Sequence, residues 1–200
     1  MRIAREALPF VLAAAVAALA LAFWTPWAAL PCVLFLAFSL WFFRDPEREA
    51  PGDPRAVLSP ADGRIIAATP ARVSVFMNVF DVHVCRTPAP GRLLSLTHAS
   101  GKFAAAFKDV ASESHERAVL VVDGPGGPVR FALVAGLGAR RIVTWVQPGE
   151  TLAAGQRVGL IRFGSRVDVD LPPGAVAAVR VGDRVRAGRT VLAYAAEAGV

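Results

Sequence analysis

A mainly β protein carrying an apolar helical hairpin at its N-terminus is the fold class the sequence predicts, and three observations carry it. From Ala7 to Phe43 there is no charged residue. From Val57 onward, short β-branched runs are separated by turn residues at regular spacing. Helical periodicity is weak in that second part, save around Phe103 to Val110. The expected architecture is a membrane-anchoring hairpin at 1–44, followed by a β-rich barrel or sandwich domain with lipoyl-like elements at 45–200.

The apolar stretch is too long for one ordinary span and close to two, each needing roughly 17–25 residues. It divides at Trp24-Thr25-Pro26-Trp27, where proline breaks a helix and tryptophans suit a membrane interface. Arg2 and Arg5 precede it and Arg44 and Arg48 follow it, which favours both ends on the cytoplasmic side. A cleaved signal peptide fits poorly, because a second apolar block follows the first at once. The expected location is the cell (inner) membrane, with the β-rich domain on its cytoplasmic face. The formal charge of +6 suits an anionic lipid surface better than nucleic acid, given the hairpin.

"FRDPEREAPGDPRAVL" reads as an irregular linker leaving the membrane. "RIIAATPARVSVFMNVFDVHVCR" then offers two or three strands. "RAVLVVDGPGGPVRFALVAG" is a hairpin about Asp123–Gly127. "RRIVTWV", "RVGLIRFG", "RVDVDLP", "GAVAAVRV" and "TVLAYAAE" supply further strands. An internal echo joins "PGETLAAGQRVGLI" to "VGDRVRAGRTVLAY", with Gly149 and Gly155 matching Gly182 and Gly188. Turns of this kind occur in lipoyl-type carrier modules, but neither copy holds the lysine a carrier needs, so the echo reads as architecture.

Two cysteines, Cys32 and Cys85, exclude a disulfide framework, and His83, His98 and His115 lack metal-ligand spacing, so no metal is expected. There is neither a GxSxG elbow nor a phosphate-binding glycine loop. Three places could carry chemistry: "SPADGRI" (59–65), "FDVHVCRTP" (80–88) and "RFGSRVD" (162–168). Each also has a structural reading. Asp62-Gly63 is a good turn dipeptide, His83 alternates with Val82 and Val84 on a strand, and Gly164-Ser165 could be a bulge.

Together with "FFRDPER" (42–48) and "GLGARRIVTWV" (136–146), these blocks resemble the short bacterial-type phosphatidylserine decarboxylase proenzymes, in order and over essentially the whole chain. The resemblance implies a carboxy-lyase of phospholipid biosynthesis that turns phosphatidylserine into phosphatidylethanolamine and CO2. It implies cleavage by the protein itself between Gly164 and Ser165, giving a large chain of 1–164 and a small one of 165–200 that remain together as a heterodimer. Ser165 then becomes a covalent pyruvoyl group, the cofactor that condenses with the substrate amine and accepts its electrons. Carried over residue by residue, the self-cleavage set is Ser165, His83 and Asp62, with the logic of a serine nucleophile, a base and an orienting acid. His83 is also an acid for protonation after CO2 leaves. Arg166 is a candidate contact for the lipid phosphate, or a partner of Asp168 on an exposed strand face. Where longer members carry a further histidine, Phe80 stands here; where their serine is commonly followed by threonine, Arg166 stands. Two other readings are a non-catalytic membrane-anchored barrel-sandwich binding module, and a pyruvoyl decarboxylase for a related serine phospholipid. The sequence leaves the oligomeric state open.

Overall fold

The computed structural model describes residues 2–99, 116–124, 126–136, 141–162 and 165–196. The segment with helical signal around Phe103 to Val110 lies outside them. Two compact units divide the chain, Met1–Glu47 and Arg48–Val200.

In the first unit, β1 (Arg2–Ile3) pairs antiparallel with β2 (Arg44–Asp45), and between them run α1 (Leu8–Trp24) and α2 (Pro26–Phe42). The break falls at Thr25 because a proline ring crowds the residue before it out of the helical region. Thr25 accordingly sits at φ −157° and ψ 129°. Around the break Phe23, Trp24 and Trp27 are 91%, 88% and 82% exposed, a surface suited to lipid rather than water. Arg5–Trp24 is long and apolar enough to cross a membrane, whereas α2 is shorter. At the far end the Arg44 guanidinium lies 4.1 Å over the Trp41 ring.

The second unit is built of strands, as its β-branched runs predict. In chain order these are β3 (Ala56–Leu58), β4 (Gly63–Ala68), β5 (Arg72–Met77), β6 (Val84–Arg86), β7 (Gly91–Ala99), β8 (Arg117–Gly124) and β9 (Gly127–Ala135). There follow β10 (Ile142–Thr144), β11 (Thr151–Leu152), β12 (Arg157–Ile161), β13 (Ser165–Asp170), β14 (Val176–Ala177), β15 (Arg184–Val185) and β16 (Val191–Tyr194). The expected barrel or sandwich is corrected here. Eight strands form one open sheet in the order β11-β7-β8-β9-β13-β5-β4-β15, and two three-stranded sheets run β10-β12-β6 and β14-β16-β3. Among the described residues no sheet closes on itself. Its outermost strands, β11 and β15, have two residues each, and soon after each a left-handed glycine (Gly155, φ +65°; Gly188, φ +68°) turns the chain away.

The order of the large sheet reads the same from either end once strands are matched: β11 with β15, β7 with β4, β8 with β5, β9 with β13. The small sheets match likewise, β10-β12-β6 with β14-β16-β3. Hydrogen bonds repeat in the same places. Gly149 N–H donates to Leu93 O at 2.7 Å and Gly182 N–H to Ile65 O at 2.8 Å. Ser59 Oγ donates to Ala61 O and Thr87 Oγ1 to Ala89 O, both at 2.7 Å. The internal echo is therefore structural, and it extends to "SPADGRII" (59–66) and "TPAPGRLL" (87–94), a match the sequence reading missed. The two halves meet at Gly155 and Gly188, where a Cβ on either would come within 3.4 Å of the other's backbone.

Candidate active site

Ser165 opens β13, the strand held on both sides in the middle of the large sheet. It pairs with Met77 of β5 and with Ala135 of β9. Alternation sends Val167 and Val169 into the core, and Ser165 is also fully buried. Its hydroxyl points to the Met77 Sδ, 3.1 Å away. A thioether is a weak acceptor, so the hydroxyl is committed to no strong partner there. Gly164 lies outside the described residues, as do Phe163 and His115.

His83 immediately precedes β6 and is fully buried. Its Nδ1 lies 3.0 Å from the Asp81 carbonyl oxygen. A carbonyl only accepts, so Nδ1 carries the proton and the basic lone pair falls on Nε2. The His83 carbonyl in turn accepts from Ile161 N–H at 3.3 Å. The chain thus passes His83 at Ile161 and reaches Met77 at Ser165, crossing from one sheet to another between them. His83 is thus bonded to the end of β12, four residues before Ser165 in the chain.

Asp62 lies in the loop between β3 and β4, where Pro60 O accepts from Arg86 N–H at 2.8 Å and ties the loop to β6. Its carboxylate is heavily engaged. Oδ2 accepts from Arg48 Nη2 at 2.8 Å, and Oδ1 accepts from Arg48 Nη1 and from Ala187 N–H, the latter at 2.8 Å. Arg48 Nη1 also donates to Ala187 O at 2.9 Å. Arg48 is the partner of Asp62 that sequence reasoning missed. Its signal was available in "FFRDPER", an arginine placed where only a linker was expected. Burial pushes the Cys85 thiol upward in pKa, and the Asp62 charge adds to the shift. The Asp62 field therefore reaches the strand that His83 leads into.

Arg166 pairs with Asp168, as one of its two readings had it, at 3.0 Å from Nε to Oδ1. The expected exposed face is corrected, because Arg166 and Asp168 are only 4% and 6% exposed. β13 lies in the middle of the sheet, flanked by β9 and β5, and its alternate residues are covered as well. His98 stands apart on β7, its Nε2 3.3 Å from Thr144 Oγ1. Phe80 is 69% exposed in the loop between Met77 and His83. Among the described residues no group of three or more His, Cys, Asp or Glu could hold a metal ion.

Comparison with known proteins gives a family and close relatives. The sequence profile described as phosphatidylserine decarboxylase matches residues 35–71 and 67–193. A phosphatidylserine decarboxylase proenzyme of Desulfotalea psychrophila is 43% identical over 209 residues, covering 95% of each chain. One of Burkholderia cenocepacia is 46% identical, covering 96% of this chain and 95% of its own. A third, of Neisseria gonorrhoeae, is 45% identical over 96% of this chain and 78% of its own.

Proposed function

This chain belongs to the phosphatidylserine decarboxylase family, a carboxy-lyase family that forms phosphatidylethanolamine, and from that premise we propose that Ser165 is the residue it matures and works through. The observation that supports this most is the placement of Ser165 at the crossing from β12 to β13, buried, beside a weak acceptor, with His83 anchored to the same crossing. In maturation Ser165 Oγ attacks the Gly164 carbonyl carbon while His83 Nε2 takes its proton, and an ester replaces the amide. Loss of the Ser165 α-proton eliminates the Gly164 carboxylate and leaves dehydroalanine, which with one water gives the pyruvoyl terminus and ammonia. Asp62 supplies negative charge that steadies the imidazolium, and Arg48 with Ala187 N–H holds that carboxylate in place.

The surroundings of Ser165 fit a pyruvoyl group. Met77, Ala135 and Val167 make the position buried and largely apolar, which shields a reactive carbonyl from water. When present, that group supplies an electrophilic carbonyl and an electron sink for loss of CO2. His83 then holds a proton at Nε2 for delivery to the carbon that lost it. Arg166, buried and bound to Asp168, acts by fixing the start of β13 rather than by meeting a lipid phosphate. The apolar helices keep the unit at the inner face of the cell membrane, where the substrate's acyl chains remain in the bilayer.

Intact-mass measurement of freshly purified protein tests this. Expected are two species, residues 1–164 and 165–200, the smaller carrying pyruvate in place of an N-terminal serine. A single uncut chain in membrane-like detergent would overturn it.

A further inference from the structure

The two halves of the β unit share one strand order, so positions in matched strands and turns have structural mates, and side chains that differ between mates are not demanded by that order. The turn Arg180–Asp183 and its mate Gln147–Glu150 show how close the backbones are. Gly182 and Gly149 have φ of +96° and +97°. Arg180 N–H donates to Asp183 Oδ2 at 2.8 Å, and Gln147 N–H to Glu150 Oε1 at 2.9 Å. β15 then pairs with β4 as β11 pairs with β7.

The decoration is not shared. On the β4–β15 edge stand Arg64, Arg180, Arg184, Arg186 and Arg189, all exposed, with Asp183 as the acid among them. Their mates are Arg92, Gln147, Thr151, Ala153 and Gln156, with Glu150 for Asp183. One edge is thus strongly cationic and the other is neutral. Arg184 stands directly opposite Arg64 in the register, a like-charge pair that weakens a sheet, whereas the mate of Arg184 is Thr151 opposite Arg92. No ion pair between described residues involves any of the five guanidiniums. At the tip of the cationic turn, Val181 is 64% exposed, where the neutral turn has Pro148. Arginines without a carboxylate partner (Arg64 donates only to Gly182 O, at 3.2 Å) around an exposed aliphatic tip match an anionic lipid surface with an apolar layer beneath it. Nucleic acid would answer the charge but not Val181, and the chain already carries apolar helices. The same edge is joined to the site, because Ala187 follows β15 and holds Asp62.

We propose that the β4–β15 edge, through Arg64, Arg180, Val181, Arg184, Arg186 and Arg189, is a second membrane contact, which docks the β unit against anionic phospholipid independently of the apolar helices. The test uses the full, matured chain in vesicles, with Cys32→Ala to leave the buried Cys85 as the remaining native thiol. A fluorophore is attached at Val181→Cys or, as internal control, at Pro148→Cys, and quenching by brominated lipid is read. In phosphatidylcholine and phosphatidylglycerol mixed in equal parts, quenching at 181 is expected to exceed that at 148 at least about threefold. It should fall in pure phosphatidylcholine and with added salt. Arg180→Gln with Arg184→Gln should weaken docking about tenfold or more. Cys85 unreactive in every variant reports that the unit stays folded. Equal quenching at 181 and 148, indifference to lipid charge, or protection of the 181 probe by an oligonucleotide without lipid quenching would each overturn the proposal. None of these readouts depends on decarboxylation, so the failure of one reading leaves the other standing.

Discussion

Arg48 and Asp62 carry opposite charges into a nearly buried place, with side chains 7% and 13% exposed, and each depends on the other being there. Removing one partner leaves a desolvated charge. Arg48→Met is therefore expected to destabilise the fold by roughly 3–5 kcal/mol, read by urea denaturation, and to slow self-cleavage. Ser165→Ala should give a full-length, folded and inactive chain, and an active one would remove Ser165 from the mechanism. Cys85 gives a pH signature. Its thiol is protonated in the folded state beyond the pH at which the unfolded thiol ionises, near pH 8.5. The folded state then binds more protons, so the stability from this group is full below about 8.5 and lost above it, at up to about 1.4 kcal/mol per pH unit. Cys85→Ala should flatten that alkaline limb in melts taken across pH 7 to about 10; an unchanged limb would count against it.

At the scale of elements, much was legible because it rests on local rules. Pro26 placed the helix break at Thr25, and "DGPGG" placed the β8–β9 hairpin, which closes with Gly124 opposite Gly127. What was not legible depends on partners far away in sequence. Alternation in "RVDVDL" suggested one exposed face, but β13 received neighbours on both edges and cover on both faces, burying Arg166 and Asp168. The match of "SPADGRII" to "TPAPGRLL" was hidden at Asp62, whose mate is Pro90. That is also the position where one half gained a charge and a candidate role in the site. The shared glycines are the firmest part of the repeat. A Cβ on Gly63 (φ +152°) would lie 2.0 Å from Phe76 O, and one on Gly91 (φ +141°) 1.8 Å from Asp123 O. A Cβ on Gly127 (φ +102°) meets nothing within 4 Å. Gly63→Ala and Gly91→Ala should each cost more than about 3 kcal/mol. Gly127→Ala should cost only about 1–2 kcal/mol of backbone strain, a difference plain in thermal melts.

For the whole molecule, the proposed cut at Gly164–Ser165 would fall inside a continuous hydrogen-bonded structure. The small chain would contribute β13, bonded to β9 on one side and β5 on the other, as well as β14, β15 and β16. The two pieces are expected to elute together on gel filtration and to part only in denaturant. One half is the continuous run from β6 to β12, while the other is split into β3–β5 and β13–β16. The continuous half lies where its sister should have a hairpin turn, since β8 ends and β9 begins at the pair Gly124 and Gly127, and β5 and β13 meet at Met77 and Ser165. A half-length chain, with that gap closed by a tight turn, would bare the edge of β13 and recruit a copy of itself across a two-fold axis. The β unit has the form of two half-length copies, one inserted into the other, and the serine proposed to react lies where they are joined.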